Sequence, residues 1–205
     1  LTDSKRVYMI NEIEQNTRPE LKFNDPNNIL LIDGSGYIFR AFYGLPPMTN
    51  KNGVPVNAVF GFTKMLIKLI DDLKPNYAAV IFDVSRKTFR NDLYEFYKAN
   101  RSDPPEDLIP QFSLIRDATK AIGLPVVEME GFEADDLIAT YTKIAFKIKK
   151  KAIVVSSDKD LMQLVDDNTI LFDPMKQLWI DDAKVFEKFG VPPNKVIDVQ
   201  SLAGD

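Results

Sequence analysis

The residues best placed to do chemistry in this sequence are carboxylates. Asp33 follows the apolar run 29–32, Asp83 follows the run 78–82, and Asp158 comes just after the run 152–155. A fourth group, Glu133-Ala134-Asp135-Asp136, lies just past Gly131, and Asp160 stands two residues after Asp158. Any one of these acids has an ordinary explanation: aspartate favours turns, and acids at a helix start cap amides and oppose the macrodipole. Their recurrence at successive strand ends does not. Carboxylates a few ångströms apart cannot all stay ionised without compensation. Lysine or arginine could provide it, but hard divalent ions prefer all-oxygen shells. Two such ions roughly 4 Å apart suit in-line displacement at phosphorus, one activating water and the other stabilising the leaving oxygen.

That chemistry has few competitors here. The chain has no histidine and no cysteine, which excludes serine-histidine triads, thiolate zinc and disulfides. A net charge of −4 argues against a polyanionic partner, but the local balance differs. Between Arg86 and Arg101, five cations (Arg86, Lys87, Arg90, Lys98, Arg101) stand against Asp92 and Glu95, a local +3, interleaved with Phe89, Tyr94, Phe96 and Tyr97. Cations that track phosphates and rings that stack on bases suit single-stranded nucleic acid, although a solvated helix face has a similar pattern.

The elements that must position these residues follow from hydrophobic patterning. Runs at 29–32, 78–82, 125–129 and 152–155, with a weaker one at 169–172, are largely apolar rather than alternating, as strands buried on both faces of a parallel sheet are. Helices are expected at 56–73 (Val59, Phe62, Leu66, Ile70 and Leu73 inward), at 107–122 (Leu108, Phe112, Ile115 and Ile122 inward, Gly123 beyond the end) and from Glu133 (Leu137, Tyr141, Ala145 and Ile148). The βαβα rhythm predicts an α/β fold with a central, mostly parallel sheet and helices on both faces. Ligands of such sheets bind beyond the strands' carboxyl ends, where Asp33, Asp83 and Asp158 would meet. Residues 1–28 read as a polar extension and 29–205 as one catalytic domain. No apolar stretch is long enough to span a membrane, which predicts a cytoplasmic protein; a monomer is expected, although the sequence does not fix the oligomeric state.

Six ordered blocks then resemble one family: Asp33-Gly-Ser-Gly-Tyr-Ile-Phe-Arg40, Ile81-Phe-Asp83, Tyr97-Lys-Ala-Asn-Arg101, Gly131-Phe-Glu-Ala-Asp-Asp136, Ser157-Asp-Lys-Asp-Leu161 and Leu202-Ala-Gly-Asp205. They are similar to bacterial 5′-nucleases, in particular the 5′-3′ exonuclease domain of DNA polymerase I and the related flap endonucleases. The resemblance implies a PIN-like domain with a helical arch that hydrolyses DNA at a 5′ end or 5′ flap, or RNA primer strands, with two divalent ions, Mg2+ or Mn2+. It implies that Asp33, Asp83, Glu133, Asp135 and Asp136 lie near the catalytic ion and Asp158, Asp160 and Asp205 near the second. Arg40, Arg90, Lys98 and Arg101 would surround the scissile phosphate or line the arch. Lys98 and Arg40 would be catalytic, Lys98 stabilising charge on the phosphate. Tyr97 would stack on the terminal base, with Arg86 and Lys87 as further nucleic-acid contacts.

The chain ends at Asp205, before the further aspartate and the helix-hairpin-helix that such proteins carry, and without a polymerase region. Rival readings fit less well. A haloacid-dehalogenase-like phosphatase needs an aspartate where Ser35 stands, and Gly34-Ser35-Gly36 lacks the third glycine of a nucleotide-binding loop. A metal- and DNA-binding fragment without activity is the remaining alternative.

Overall fold

The structure, a computed structural model, describes residues 22–204. Strands β1 (Asn28–Asp33), β2 (Ala78–Ile81), β3 (Val126–Val127), β4 (Lys151–Val155), β5 (Thr169–Asp173) and β6 (Leu178–Ile180) form one sheet in the order β3-β2-β1-β4-β5-β6. β2 pairs parallel with β3 and β4 parallel with β5, whereas β6 returns antiparallel to β5. The α/β, mostly parallel sheet with helices expected from the sequence is therefore present. The short β6 is too brief to give a hydrophobic pattern. Among the described residues no helix is long and apolar enough to cross a membrane.

Seven α-helices are described: α1 (Gly34–Gly44), α2 (Asn57–Leu73), α3 (Phe89–Leu93), α4 (Gln111–Ala121), α5 (Ala134–Lys147), α6 (Asp182–Phe189) and α7 (Val196–Ala203). Packing divides the chain into two compact units. Ile32–Leu73 and Ala78–Ile138 form one, here the acidic unit; described residues up to Leu31, Lys74–Tyr77 and those from Ala139 onward form the other.

In the acidic unit, α2 buries Phe62 and Leu66 of the expected stripe together with Ala58 and Leu69, whereas Val59, Ile70 and Leu73 are half-buried. Gly61 lets α2 approach α1 closely: a Cβ there would lie 3.1 Å from the Ala41 Cβ of α1. Phe62 meets Phe82 with ring centroids 5.8 Å apart and Tyr37 at 6.3 Å. Helix α4 begins at Gln111 rather than Asp107, because Pro110 disfavours helical backbone in the residue before it and is itself the cap. Leu108 and Ile115 are buried as expected, and Gly123 adopts φ +92° just past the cap residue Ile122. Gln111 carries an unanticipated buried network, donating to Asn57 Oδ1 at 2.9 Å and accepting from Val59 N at 3.1 Å.

Helix α5 buries Ala134, Leu137, Ile138, Thr142 and Ala145, whereas Tyr141 and Ile148 are exposed, contrary to the expected stripe. Ile148 falls beyond the last helical residue. In the second unit Phe23 stacks on Trp179 at 4.5 Å and meets Phe172 edge-on at 5.2 Å, so residues just ahead of β1 contribute to packing.

Candidate metal and phosphate site

Asp33 closes β1 and caps α1: its carboxylate accepts from Ser35 N at 3.1 Å, one of the orphan amides of a helix start. The helix can begin there only because residue 34 is glycine. A Cβ at Gly34 would lie 2.4 Å from the Phe82 ring and 2.9 Å from the Ile81 carbonyl oxygen. This close passage brings Ser35 to the end of β2, where its hydroxyl donates to Asp83 Oδ2 at 2.6 Å. The other Asp83 oxygen accepts from Ala134 N at 2.7 Å, the first residue of α5. One carboxylate thus joins a strand end to the starts of two helices. At the second of these, Glu133 N donates to Asp136 Oδ2 at 3.0 Å.

The basic segment meets these acids. Arg90 donates through both terminal nitrogens to Asp136, each at 2.7 Å, in a bidentate pair. Lys98 donates to Glu133 Oε1 at 2.8 Å and the Tyr97 hydroxyl to Glu133 Oε2 at 3.2 Å. The Arg90 guanidinium also lies 4.6 Å from the Phe89 ring, and the Lys98 ammonium 5.2 Å from that of Tyr97. Lys98 holds φ +54°, a left-handed backbone that a side chain disfavours. The hydrogen bond to Arg90 holds the Asp136 carboxyl below the usual carboxylate range, against the opposing effect of burial. The same bond raises the Arg90 guanidinium, while burial lowers it less. Burial alone would lower the Lys98 ammonium, but its bond to and attraction by Glu133 outweigh that and raise it.

Helix in the segment 86–101 is confined to the five residues of α3. Leu93 is 80% exposed and Tyr94 and Phe96 are also exposed, so the segment has no apolar stripe to bury and little to stabilise a longer helix. It is tied down by its cations and by Phe89 N, which donates to Gly131 O at 2.9 Å.

The other expected site residues have surroundings of their own. Arg86 pairs with Asp103 at 2.5 Å and Lys87 lies 4.0 Å from Asp92, both on the surface. Arg40 and Arg101 are exposed, and Asp135 is half-buried beside Asp136. Asp158 and Asp160 belong to the second unit, where Asp158 Oδ1 accepts from Asp160 N at 2.8 Å and Gln200 donates to Asp160. Asp205 lies outside the described residues.

The donor set for a metal is all oxygen, with Asp33 and Glu133 only 7% and 8% exposed, and this chemistry fits a hard divalent ion. Among the described residues, however, no three acidic side chains are gathered as a ready-made metal shell. Compensation of Glu133 and Asp136 comes here from Lys98 and Arg90, whose guanidinium fork matches a carboxylate at low entropic cost. Sequence reasoning also missed Ser35 as a partner of Asp83, noticing it only as a residue out of place for a phosphatase.

Comparison with known proteins converges on one family. Residues 28–190 match the family described as 5′-3′ exonuclease, N-terminal resolvase-like domain. A DNA polymerase I from Rhizobium leguminosarum is 56% identical over 187 residues, covering 87% of this chain and 18% of that protein. A 5′-3′ exonuclease from Aquifex aeolicus is 39% identical over 181 residues, covering 86% of this chain and 61% of that protein. The chain thus spans about a fifth of the first relative and three fifths of the second. Among solved structures, the bacteriophage T5 D15 flap endonuclease in a pseudo-enzyme-product complex with DNA and metal ions has the same fold. Its TM-score is 0.68 at 20% identity, over 87% of this chain and 66% of that one.

Proposed function

Because this chain belongs to the family of 5′-3′ exonucleases, N-terminal resolvase-like domain, we propose that it hydrolyses DNA phosphodiesters at a 5′ end or 5′ flap with divalent metal, as the N-terminal part of a DNA polymerase I acting in replication and repair. The observation that carries this reading is the meeting of a basic, aromatic segment with an acidic cluster inside one unit: Arg90 on Asp136 and Lys98 on Glu133. Asp33, Asp83, Glu133, Asp135 and Asp136 would hold one ion. Asp158, Asp160 and Asp205 would hold a second. Bound Mg2+ or Mn2+ would supply an activated water and stabilise the leaving oxygen.

The chain's own residues supply the rest. Arg90 and Lys98 now neutralise carboxylates. Once those oxygens were otherwise engaged, the two cations would turn to the nearest remaining anion, a backbone phosphate, where Lys98 would stabilise developing charge. Arg40 would add to this field from α1. Tyr97 would stack on the terminal base while Arg86, Lys87 and Arg101 track phosphates of a DNA or RNA strand.

The test is cleavage of a 5′-flap DNA with Mg2+, with Mn2+ and with chelator, by the chain and by Asp135→Ala. Metal-dependent cleavage that falls at least ~100-fold in the variant is expected, in line with the loss of a metal-organising group. A folded chain that binds the flap but never cleaves it would overturn the proposal and leave a DNA-binding module.

A further inference from the structure

Asp83 is held through three oxygens, and the third holder belongs to neither helix start. Ser35 and Ala134 take the two carboxylate oxygens. The main-chain carbonyl of Asp83 accepts from the Arg116 guanidinium of α4 at 2.6 Å. Strand β2 ends at Ile81, with Phe82 N still donating to Val127 O at 3.0 Å, so the Asp83 carbonyl lies just past the strand. The residues that follow, Val84 to Lys87, are exposed.

Arg116 is built to hold that carbonyl. Its Nε donates to Glu128 Oε2 at 2.5 Å, a second nitrogen to the Phe112 carbonyl one turn back at 3.0 Å, and the guanidinium carbon lies 5.1 Å from the Phe82 ring. The side chain is only 16% exposed. A planar fork with donors in fixed directions can serve three such acceptors at once, which a lysine ammonium on a flexible stem cannot do with the same geometry.

We propose that Arg116, oriented by Glu128, is a positioning residue for Asp83: it fixes the backbone at the exit of β2 and thereby the direction in which the Asp83 carboxylate is presented to a divalent ion. The proposal rests on the reading that Asp83 helps to hold such an ion. Arg116 acts through Asp83 and touches no reacting atom. Freed from the guanidinium, the Phe82–Asp83 junction could rotate, and the carboxylate would lose its alignment between Ser35 and Ala134.

The experiment measures Mn2+ binding by titration calorimetry, the Mg2+ concentration for half-maximal flap cleavage, and thermal stability. It uses the full chain and its Arg116→Met, Arg116→Lys, Glu128→Gln and Asp83→Asn variants. Arg116→Met is expected to weaken Mn2+ binding about 10-fold, the usual scale for an outer-shell partner, and to raise the Mg2+ midpoint similarly. Its rate at saturating Mg2+ should stay close to that of the parent. Arg116→Lys should recover part of the loss, and Glu128→Gln should show a smaller one. Lowered stability with unchanged Mn2+ affinity and Mg2+ midpoint in Arg116→Met would overturn the positioning role. Should that variant fail to fold, Glu128→Gln decides in the same way. Unchanged Mn2+ affinity in Asp83→Asn would instead overturn the reading of Asp83 as a ligand, and the positioning role with it.

Discussion

At the scale of single residues, the cation pairs of the acidic unit make its stability depend on pH. Asp136 titrates below its unfolded value because of Arg90, so the folded chain binds fewer protons there. The stability it contributes is present above the unfolded carboxylate pKa and is lost as pH falls through the folded one. Lys98, raised by Glu133, contributes stability below the unfolded lysine pKa, lost as pH rises through the folded value. Urea unfolding of metal-free protein should therefore show an acid-side loss that Arg90→Met flattens. The substitution should cost about 1–3 kcal/mol at neutral pH, since it strands a partly buried carboxylate. An unchanged acid limb would remove Arg90 from this role. Aspartate at the end of an apolar run is visible in sequence, as Asp33 and Asp83 are, but that Ser35, an α5 amide and Arg116 satisfy Asp83 depends on helix packing that no local pattern encodes.

At the scale of elements, strand positions were read well because buried parallel strands are continuously apolar, as β1 and β4 are. Helix faces were read less well. α2 buries Ala58 and Leu69 in place of Val59 and Ile70, and α5 leaves Tyr141 exposed. Helix α1 was missed because Asp33-Gly34 signals a turn as readily as a cap followed by a helix. The glycine is what permits the helix to start against β2. Gly34→Ala would drive a methyl into the Phe82 ring and the Ile81 carbonyl. It should destabilise the fold by about 1–3 kcal/mol, as overpacking does, measurable as a lowered urea midpoint at unchanged slope. It should also lower flap cleavage, since Ser35 would be carried away from Asp83. An alanine variant as stable as the parent would show that this junction yields more easily than its contacts indicate.

At the scale of the whole molecule, the mostly parallel sheet follows from the βαβα rhythm, whereas the order of its strands and the division into two units are invisible to it. Neither unit is a continuous stretch of chain: β1 gives residues to both at Leu31 and Ile32, and α5 does so at Ile138 and Ala139. Elements shared in this way make independent unfolding costly, because melting one unit frays a strand and a helix of the other. The stacking of Phe23 on Trp179 supplies the means to observe it. Trp179 is the only tryptophan in the chain and belongs to the second unit, so indole fluorescence reports on that unit alone. Far-ultraviolet circular dichroism, by contrast, follows helices of both. The two signals should trace one coincident urea transition; a fluorescence midpoint well apart from the dichroism midpoint would mean that the units part company. The lone indole thus turns an ordinary packing contact into an optical label, already in place, for one half of the protein.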